Sequence, residues 1–407
     1  MRSLADHRAA VLDLVAPLPP RAVAVGEALG LVLAEPVTAA VDLPGFDNSA
    51  MDGYAVRADE LEGADPDQPV VLPVEADIAA GDTTRHVLAP GHAMRIMTGA
   101  PMPEGADAVV PVELSDGGAE QVALHLAPEP GRSVRRQGED VRTGDVVLPV
   151  GTRLGPGHLA LAAAVNAAEV VVHPRPRVLV VSTGDELVPP GSQVEHGQII
   201  DSNLVMLRAL VEAAGADVAD AVHLRDDADA VRALLRDLPG GPDLVVTSGG
   251  VSMGVYDTVK EVLVEDGGVE FVKVAMRPGM PQGCGVVGPS RTPAVTLPGN
   301  PVSSLASFHV FVLPALRRLA GLDPDTDGAF EAVADTAWGA AAGKVELTRV
   351  IEEEGRVRPS GGQGSHVLGA LAGATALALV PADVARVEPG DRVRCIPLLG
   401  KDRDRGL

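Results

Sequence analysis

The chain of 407 residues carries a net charge of −23, and it is 46% hydrophobic but only 2% aromatic. At roughly 150 residues per domain this length predicts about two to four domains, with cores built from Val, Leu, Ala and Ile. The acidic balance excludes a general nucleic-acid-binding protein, which needs a basic surface to displace counterions. Cys284 and Cys395 form no CxxC pair, so neither a zinc site nor a disulfide framework is indicated.

The N-terminus lacks the apolar core of a secretory signal, because Asp6, His7 and Arg8 interrupt it. The longest uncharged run, 361–382, is broken by glycines and by Pro381, and its apolar part is too short to span a membrane. We therefore expect a cytoplasmic protein without a membrane partner.

The first third of the chain changes character several times. Apolar residues at helical spacing predict a helix over residues 3–16, ended by Pro17. Segment 36–56 contains FDNSAMDGYAV and is dense in turn-forming residues, a composition typical of a linker or a functional loop. Over 57–136, short apolar runs separated by Gly, Pro and Asp predict a small all-β domain. A helix-like apolar stretch follows around residues 158–168.

From residue 174 onwards, strands alternate with helices of ten or more residues. This pattern predicts a parallel sheet with right-handed crossovers, and so a doubly wound α/β domain over 174–322. Its predicted strands are 178–181, 218–224, 244–247, 269–274 and 294–297, and its last helix is 302–319. The helix period is then lost, which predicts a C-terminal β domain over 323–407. The other predicted domains are an N-terminal helix with a linking domain, 1–45 and 137–173, and a β-rich insert domain, 46–136.

Segment 243–260, DLVVTSGGVSMGVYDTVK, combines a short buried strand, the bend Ser248-Gly249-Gly250 and a helix start at Asp257. Paired glycines allow φ > 0 and a close approach of the backbone to a ligand. Successive backbone N–H groups in such a bend form an anion-binding nest. The alternative is a tight strand-to-helix loop without a ligand.

Three loops follow strands of the predicted α/β domain, and the carboxyl ends of parallel strands meet at one edge of a sheet. The loops are 182–186, 248–250 and 298–301. Asp185, Glu186 and Asp257 then share a site, which requires a cation or protons to neutralise them. Mg²⁺ is the natural candidate, since it binds one or two carboxylates together with substrate phosphates. The alternative is that Asp185 and Glu186 only cap a helix.

A further strand end carries Arg277, which is a candidate phosphate ligand beside the glycine bend. A solvated arginine is the alternative for this residue. Among the short motifs of known mechanism, GxSxG, HExxH and P-loop patterns are absent from the sequence.

Seven segments, in order along the chain, resemble those of the molybdopterin molybdenumtransferase (MoeA) family, which is shared with the E domain of gephyrin. They are FDNSAMDGYAV (46–56), RIMTGAPMPEGADAVVPVE (95–113), GED (138–140), STGDEL (182–187), TSGGVSMGVYD (247–257), LPGNPVSS (297–304) and GGQGSH (361–366). The resemblance implies an enzyme that binds adenylylated molybdopterin, inserts molybdate at the dithiolene, and releases AMP and molybdenum cofactor with Mg²⁺ present. It also implies four domains and a homodimer, with a site between the α/β domain of one subunit and the β domain of its partner.

The resemblance assigns roles residue by residue. The candidate catalytic residues are Asp52, Thr98, Asp140, Glu186 and Asp257, and the candidate metal ligands are Asp185, Glu186 and Asp257. One further acidic position matches either Asp226 or Asp227. Together with the strand-end loops, the candidate substrate-binding residues are Ser248, Gly249, Gly250, Asp227, Arg277, Pro298, Gly299, Asn300, Arg349 and Ser365.

The chain departs from the family at one place. The family's KPGK pattern is RPGM here, so Arg277 keeps the first cation and the apolar Met280 replaces the second. A non-catalytic pterin-binding or scaffold paralogue is therefore the alternative function. The retained acidic residues and Thr98 favour the enzyme.

Overall fold

The computed structural model describes residues 1–250, 258–265, 268–326 and 328–400. The chain forms two compact units. The first comprises Met1–Arg21, Gly30–Ala34 and Val171–Leu407, and the second comprises Ala22–Leu29 and Glu35–Val170. In the described residues, no helix is long and apolar enough to cross a membrane.

A six-stranded sheet forms the centre of the first unit. Its strands lie in the order Asp217–Leu224, Arg177–Thr183, Leu244–Ser248, Thr292–Leu297, Pro281–Val287 and Glu270–Lys273. The first four are parallel, as predicted. Pro281–Val287 runs antiparallel to its neighbour Thr292–Leu297. Glu270–Lys273, the strand predicted at 269–274, runs antiparallel to Pro281–Val287. Pro281–Val287 was not predicted, because Pro281, Gly283 and Gly285 interrupt its apolar residues.

Helices cover both faces of this sheet, as a doubly wound domain requires. On the strand Arg177–Thr183, Val178 and Val180 pack in one hydrophobic cluster, while Leu179 and Val181 pack in another. This alternation follows from the two-residue period of a strand. The first cluster includes side chains of helices Leu4–Asp13, Ser202–Ala213, Pro301–Ser307 and Leu313–Leu319, and the second those of Ala228–Asp237 and Thr258–Glu265. The doubly wound α/β prediction is thereby confirmed.

The last helix of the domain was predicted as one continuous element over 302–319. It consists of Pro301–Ser307, a π-helical turn Phe308–Val312, and Leu313–Leu319. Pro314 lies in the first turn after the π segment. Proline has no N–H and cannot complete the regular helical hydrogen bond, which accounts for a break in the ladder near this point.

The C-terminal part of the first unit is a β domain. Its strands are Phe330–Ala334, Trp338–Gly339, Val345–Glu353, Arg356–Pro359, Ala376–Val380, Arg386–Val387 and Arg392–Pro397, with a short helix Leu368–Gly373. Pairing of Val345–Glu353 with Ala376–Val380 closes five strands into a barrel. The strand Met276–Arg277, from the preceding domain, adds parallel to Val345–Glu353.

The second unit contains a five-stranded sheet. Its strands lie in the order Ala108–Pro111, Gly53–Val56, Ala93–Ile96, Val70–Ile78 and Gln121–Leu124. The last residues of FDNSAMDGYAV, a segment predicted as a linker or a functional loop, form the fully buried inner strand Gly53–Val56. A Cβ atom at Gly53 would lie 2.1 Å from the carbonyl oxygen of Val110, so glycine is needed for the close approach of these strands.

Smaller elements complete the second unit. The helix expected around 158–168 is present as Pro156–Ala164, with Pro156 at its first position, where a missing N–H costs little. Two antiparallel pairs join Val37–Thr38 to Val146–Leu148, and Asn48–Ser49 to Val134–Arg135. Further short strands in the chain are Arg21–Ala24, Val32–Leu33, Glu169–His173, Leu187–Val188 and Ile199–Ile200.

Candidate functional site

The carboxyl ends of three parallel strands lie side by side in the first unit. Ser182 is in register with Ser248, and Ser248 is in register with Leu297. The loops that follow these residues therefore start at the same edge of the sheet, as the sequence predicted. Ser248 and Pro298 are buried, whereas Gly299 and Asn300 are exposed.

The glycine bend packs closely against the neighbouring strand end. Gly249 and Gly250 have φ angles of +96° and +66°. A Cβ atom at Gly249 would lie 2.5 Å from the carbonyl oxygen of Thr183 and 2.7 Å from its Oγ1, and one at Gly250 would lie 2.9 Å from Val259. Positive φ and tight packing thus both require glycine at these positions. The close approach that the sequence assigned to a ligand is made here by protein atoms.

The loop after the third strand contacts the C-terminal domain. Nδ2 of Asn300 donates a hydrogen bond of 3.1 Å to Oγ of Ser365. The carbonyl oxygen of Ser365 accepts a hydrogen bond of 3.2 Å from the backbone N–H of Val302. Ser365 is therefore held at the strand edge by two contacts to the segment that begins the last α/β helix.

Arg349 is fully buried, and its guanidinium donates hydrogen bonds to the loop that carries Ser365. Nη1 donates to the carbonyl oxygen of Val367 at 2.7 Å, and Nη2 donates to those of Gly362 and Gly364 at 2.6 and 3.1 Å. Burial lowers the pKa of Arg349, but arginine stays protonated in proteins. In this structure Arg349 thus determines the shape of the loop, whereas the sequence assigned it directly to substrate.

The predicted acidic site residues of the first unit differ in their surroundings. Asp185 and Glu186 are exposed, and Oδ1 of Asp185 accepts a 3.4 Å hydrogen bond from the backbone N–H of Asp226. Asp227 caps the helix Ala228–Asp237, because its Oδ1 accepts from the backbone N–H of Asp229 at 2.8 Å. Since Asp227 has this structural task, Asp226 becomes the better candidate of the pair for ligand binding.

In the second unit, Asp52 and Thr98 are in direct contact. Oδ1 of Asp52 accepts hydrogen bonds from the backbone N–H of Thr98 at 2.6 Å and from its Oγ1 at 2.8 Å. These two bonds, the backbone one first, lower the pKa of Asp52 below its usual range. Asp140 is exposed, and its backbone N–H donates to the carbonyl oxygen of Leu43 at 3.0 Å.

Three family profiles match this chain. They are described as MoeA N-terminal region (domain I and II), over residues 2–166, probable molybdopterin binding domain, over 179–318, and MoeA C-terminal region (domain IV), over 331–398. The protein named molybdopterin molybdenumtransferase 2 from Mycobacterium tuberculosis is 46% identical over 402 residues, which cover 97% of this chain and 99% of the relative. The chain belongs to the molybdopterin molybdenumtransferase family.

Other relatives agree with this membership. Molybdopterin molybdenumtransferase from Haemophilus influenzae is 36% identical over 380 residues, which cover 91% of this chain and 92% of that protein. The crystal structure of the molybdopterin biosynthesis MoeA protein from Pyrococcus horikoshii matches with a TM-score of 0.83 and 30% identity, over 98% of this chain and 99% of that one. The resemblance drawn from the sequence motifs is confirmed, as is the multidomain fold.

The described residues fit a Mg²⁺ site in which the protein supplies only one or two carboxylates. Among them, no group of three or more His, Cys, Asp and Glu side chains is arranged to hold a metal. Asp257, the third predicted ligand, lies outside the described residues. Asp185 and Glu186 are exposed on one loop, which fits an ion that takes one or two carboxylates and completes its shell with substrate phosphates and water.

The RPGM segment, where this chain differs from the family pattern, contains a contact that the sequence did not reveal. Nη1 of Arg277 lies 3.7 Å from Oε2 of Glu346, and Glu346 is buried. The same Oε2 accepts a 2.9 Å hydrogen bond from the backbone N–H of Ala341. Arg277 is 56% exposed, so it keeps access to a ligand while the buried carboxylate orients it. Met280 is half-buried.

Proposed function

We propose that this chain acts in molybdenum cofactor biosynthesis as a molybdopterin molybdenumtransferase. Its substrates are adenylylated molybdopterin and molybdate, and its products are AMP and molybdenum cofactor. The observation that carries the proposal is the meeting of the Ser248-Gly249-Gly250 bend, the 298–301 loop and Ser365 at one sheet edge. Family membership, with relatives that are named for this reaction, supports it.

The loops of this edge, together with Arg277 by motif, have chemistry that suits an anionic pterin substrate. In the glycine bend, the backbone N–H of Gly249 donates to the carbonyl oxygen of Leu297 at 3.2 Å, so the bend would bind phosphate oxygens through its other N–H groups. The hydroxyl of Ser365 and the amide of Asn300 supply donors beside them. Arg277 offers a planar fork that can hold two oxygens of an anion. The substrate is thereby bound through donors from two domains of one unit.

We propose that Asp185 and Glu186, with Asp257 by motif, hold Mg²⁺ against the substrate phosphates. When bound, the ion neutralises charge that develops on the phosphate oxygens. The two carboxylates would act on the phosphate only through the ion, because ionised carboxylates accept hydrogen bonds and repel an anion. We assign Asp52 and Thr98 to catalysis from their motifs. The contact between the two residues supports a shared role, because Oδ1 of Asp52 accepts hydrogen bonds from both the backbone N–H and Oγ1 of Thr98.

The test measures AMP release and cofactor formation by the purified full chain with adenylylated molybdopterin, molybdate and Mg²⁺. Glu186→Gln should lower turnover by about tenfold or more, since placing a metal contributes several kcal/mol. Glu195→Gln is the matched control, because Glu195 is an exposed glutamate downstream of the same loop.

Each outcome has a distinct meaning. A parent chain that binds the substrate without releasing AMP favours the scaffold function over the transferase. An active parent whose Glu186→Gln variant keeps both its rate and its Mg²⁺ dependence refutes the metal role alone.

We also propose that the enzyme is a homodimer, as the family resemblance implies. Light scattering on the purified protein should give twice the chain mass of 41.6 kDa. A mass equal to that of one chain at micromolar concentration contradicts the homodimer and, with it, the implied site between the α/β domain of one subunit and the β domain of its partner.

A further inference from the structure

One buried amide links two of the loops at the candidate site. Asn203 lies in the first turn of helix Ser202–Ala213 and is only 9% exposed. Its Nδ2 donates to Oγ of Ser248 at 2.7 Å and to the carbonyl oxygen of Gly299 at 2.6 Å. Asn203 is not among the site residues that the sequence predicts.

The orientation of this amide follows from its partners. A carbonyl oxygen such as that of Gly299 can only accept a hydrogen bond, so the NH₂ group of Asn203 must face it. Among the residues that the structure describes, its buried Oδ1 has no hydrogen-bond partner.

A second side chain at the start of the same helix contacts the strand Arg177–Thr183. Asp201 is 3% exposed, and its Oδ1 accepts from the backbone N–H of Leu204 at 3.0 Å, which caps the helix. Its Oδ2 accepts a hydrogen bond from Oγ of Ser182. Nδ1 of His223 lies 3.8 Å from the same oxygen. Asp201 and Asn203 together connect the ends of all three parallel strands that lead into the site.

We propose that Asn203 is a substrate-positioning residue, which holds the glycine bend and the 298–301 loop at the separation that substrate binding requires. A Cβ atom added to Gly299 would come into van der Waals contact with Cα of Gly249, at 3.7 Å, so the two loops lie close together beside the amide. Small displacements of binding groups reduce rates strongly, because binding and reaction depend on exact placement. This inference rests on the proposed function.

The decisive variant is Asn203→Asp, which keeps the size of the side chain but has no N–H to donate to Gly299. Its kcat and KM for adenylylated molybdopterin are measured with the full chain, together with its unfolding midpoint. We expect KM to rise about tenfold or more, with a smaller change in kcat. Val231→Ala is the control, because Val231 is buried in the opposite core cluster and its truncation destabilises the fold without touching these loops.

A double-mutant cycle supplies a result that a purely structural role does not predict. Asn203→Ala and Ser248→Ala are combined, and kcat/KM is compared among the four proteins. If Asn203 acts through Ser248, the double variant loses clearly less than the product of the two single losses. Losses that multiply, or an Asn203→Asp variant with the parent's KM, overturn the proposal. An inactive parent instead refutes the proposed function itself.

Discussion

Arg349 provides the sharpest prediction about stability. Replacing Arg349 with Met keeps most of the side-chain volume but removes the donors that serve Gly362, Gly364 and Val367. Hydrogen bonds to a charged group contribute about 1.5–3 kcal/mol each. The three bonds belong to one partly exposed loop whose carbonyl groups gain water when it opens, so their contributions are not additive. We expect the free energy of unfolding to fall by about 3–4 kcal/mol.

The chain contains both a reporter and a control for this experiment. Trp338 is the single tryptophan of the sequence and is buried in the C-terminal domain, so its fluorescence follows unfolding of the barrel. Arg358 is the control residue of the same domain. Its Nη2 lies 3.6 Å from Oε1 of Glu353, and its side chain is 44% exposed. Arg358→Met should change stability by less than about 1 kcal/mol, because exposed ion pairs contribute little.

We also expect Arg349→Met to weaken substrate binding. Without Arg349 the loop that carries Ser365 loses its shape, so KM for adenylylated molybdopterin should rise in Arg349→Met but not in Arg358→Met. If both variants unfold at the same denaturant concentration as the parent, the guanidinium does not organise this loop. If Arg349→Met is destabilised but keeps the parent's KM, Arg349 stabilises the loop, but the shape of the loop does not affect substrate binding.

Three further predictions concern charge. Met280→Lys should tighten substrate binding, with the gain shrinking at high salt, and weaker binding than the parent would show that an apolar contact is needed there. Thr98→Val removes the smaller of the two causes of the low Asp52 pKa, so the acidic limb of the kcat/KM pH profile should move up only slightly; a large move contradicts the dominance of the backbone N–H. Burial lowers the pKa of His7 and of His309 to about 4 from 6.5, so unfolding takes up protons below pH 6.5 and stability falls as the pH drops towards 4. His7→Phe should reduce the slope of unfolding free energy against pH by about 1.4 kcal/mol per pH unit. Free energies from urea titrations that fall equally with pH in parent and variant would refute this prediction.

Local patterns were enough to predict much of the α/β domain. The apolar run 178–181 and the turn-forming residues after it indicated a buried strand with a loop at its carboxyl end, and the strand observed is Arg177–Thr183. Because parallel strands place such loops at one edge, the meeting of the Ser182, Ser248 and Leu297 strand ends followed from the order of the elements alone.

The features that were missed depend on contacts between distant parts of the chain. An arginine in a strand pattern indicates a solvated residue, so nothing near Arg349 in the sequence shows that carbonyl groups 13–18 residues later surround it. Glu346 and Asn203 were missed for the same reason, since each meets its partner only after the domains have folded. Gly53–Val56 was hidden because the turn-forming residues before it obscured a strand of only four residues.

The strand Met276–Arg277 lies within the α/β segment of the chain but hydrogen-bonds to Val345–Glu353 of the C-terminal barrel. A fragment ending near residue 322 would leave this strand without its neighbour, with unpaired backbone groups beside the RPGM turn. The excised barrel would in turn expose the other side of the same ladder. The two domains are therefore expected to unfold in a single transition, and protease cleavage in the 322–329 connection should leave two pieces that stay associated and separate only in denaturant.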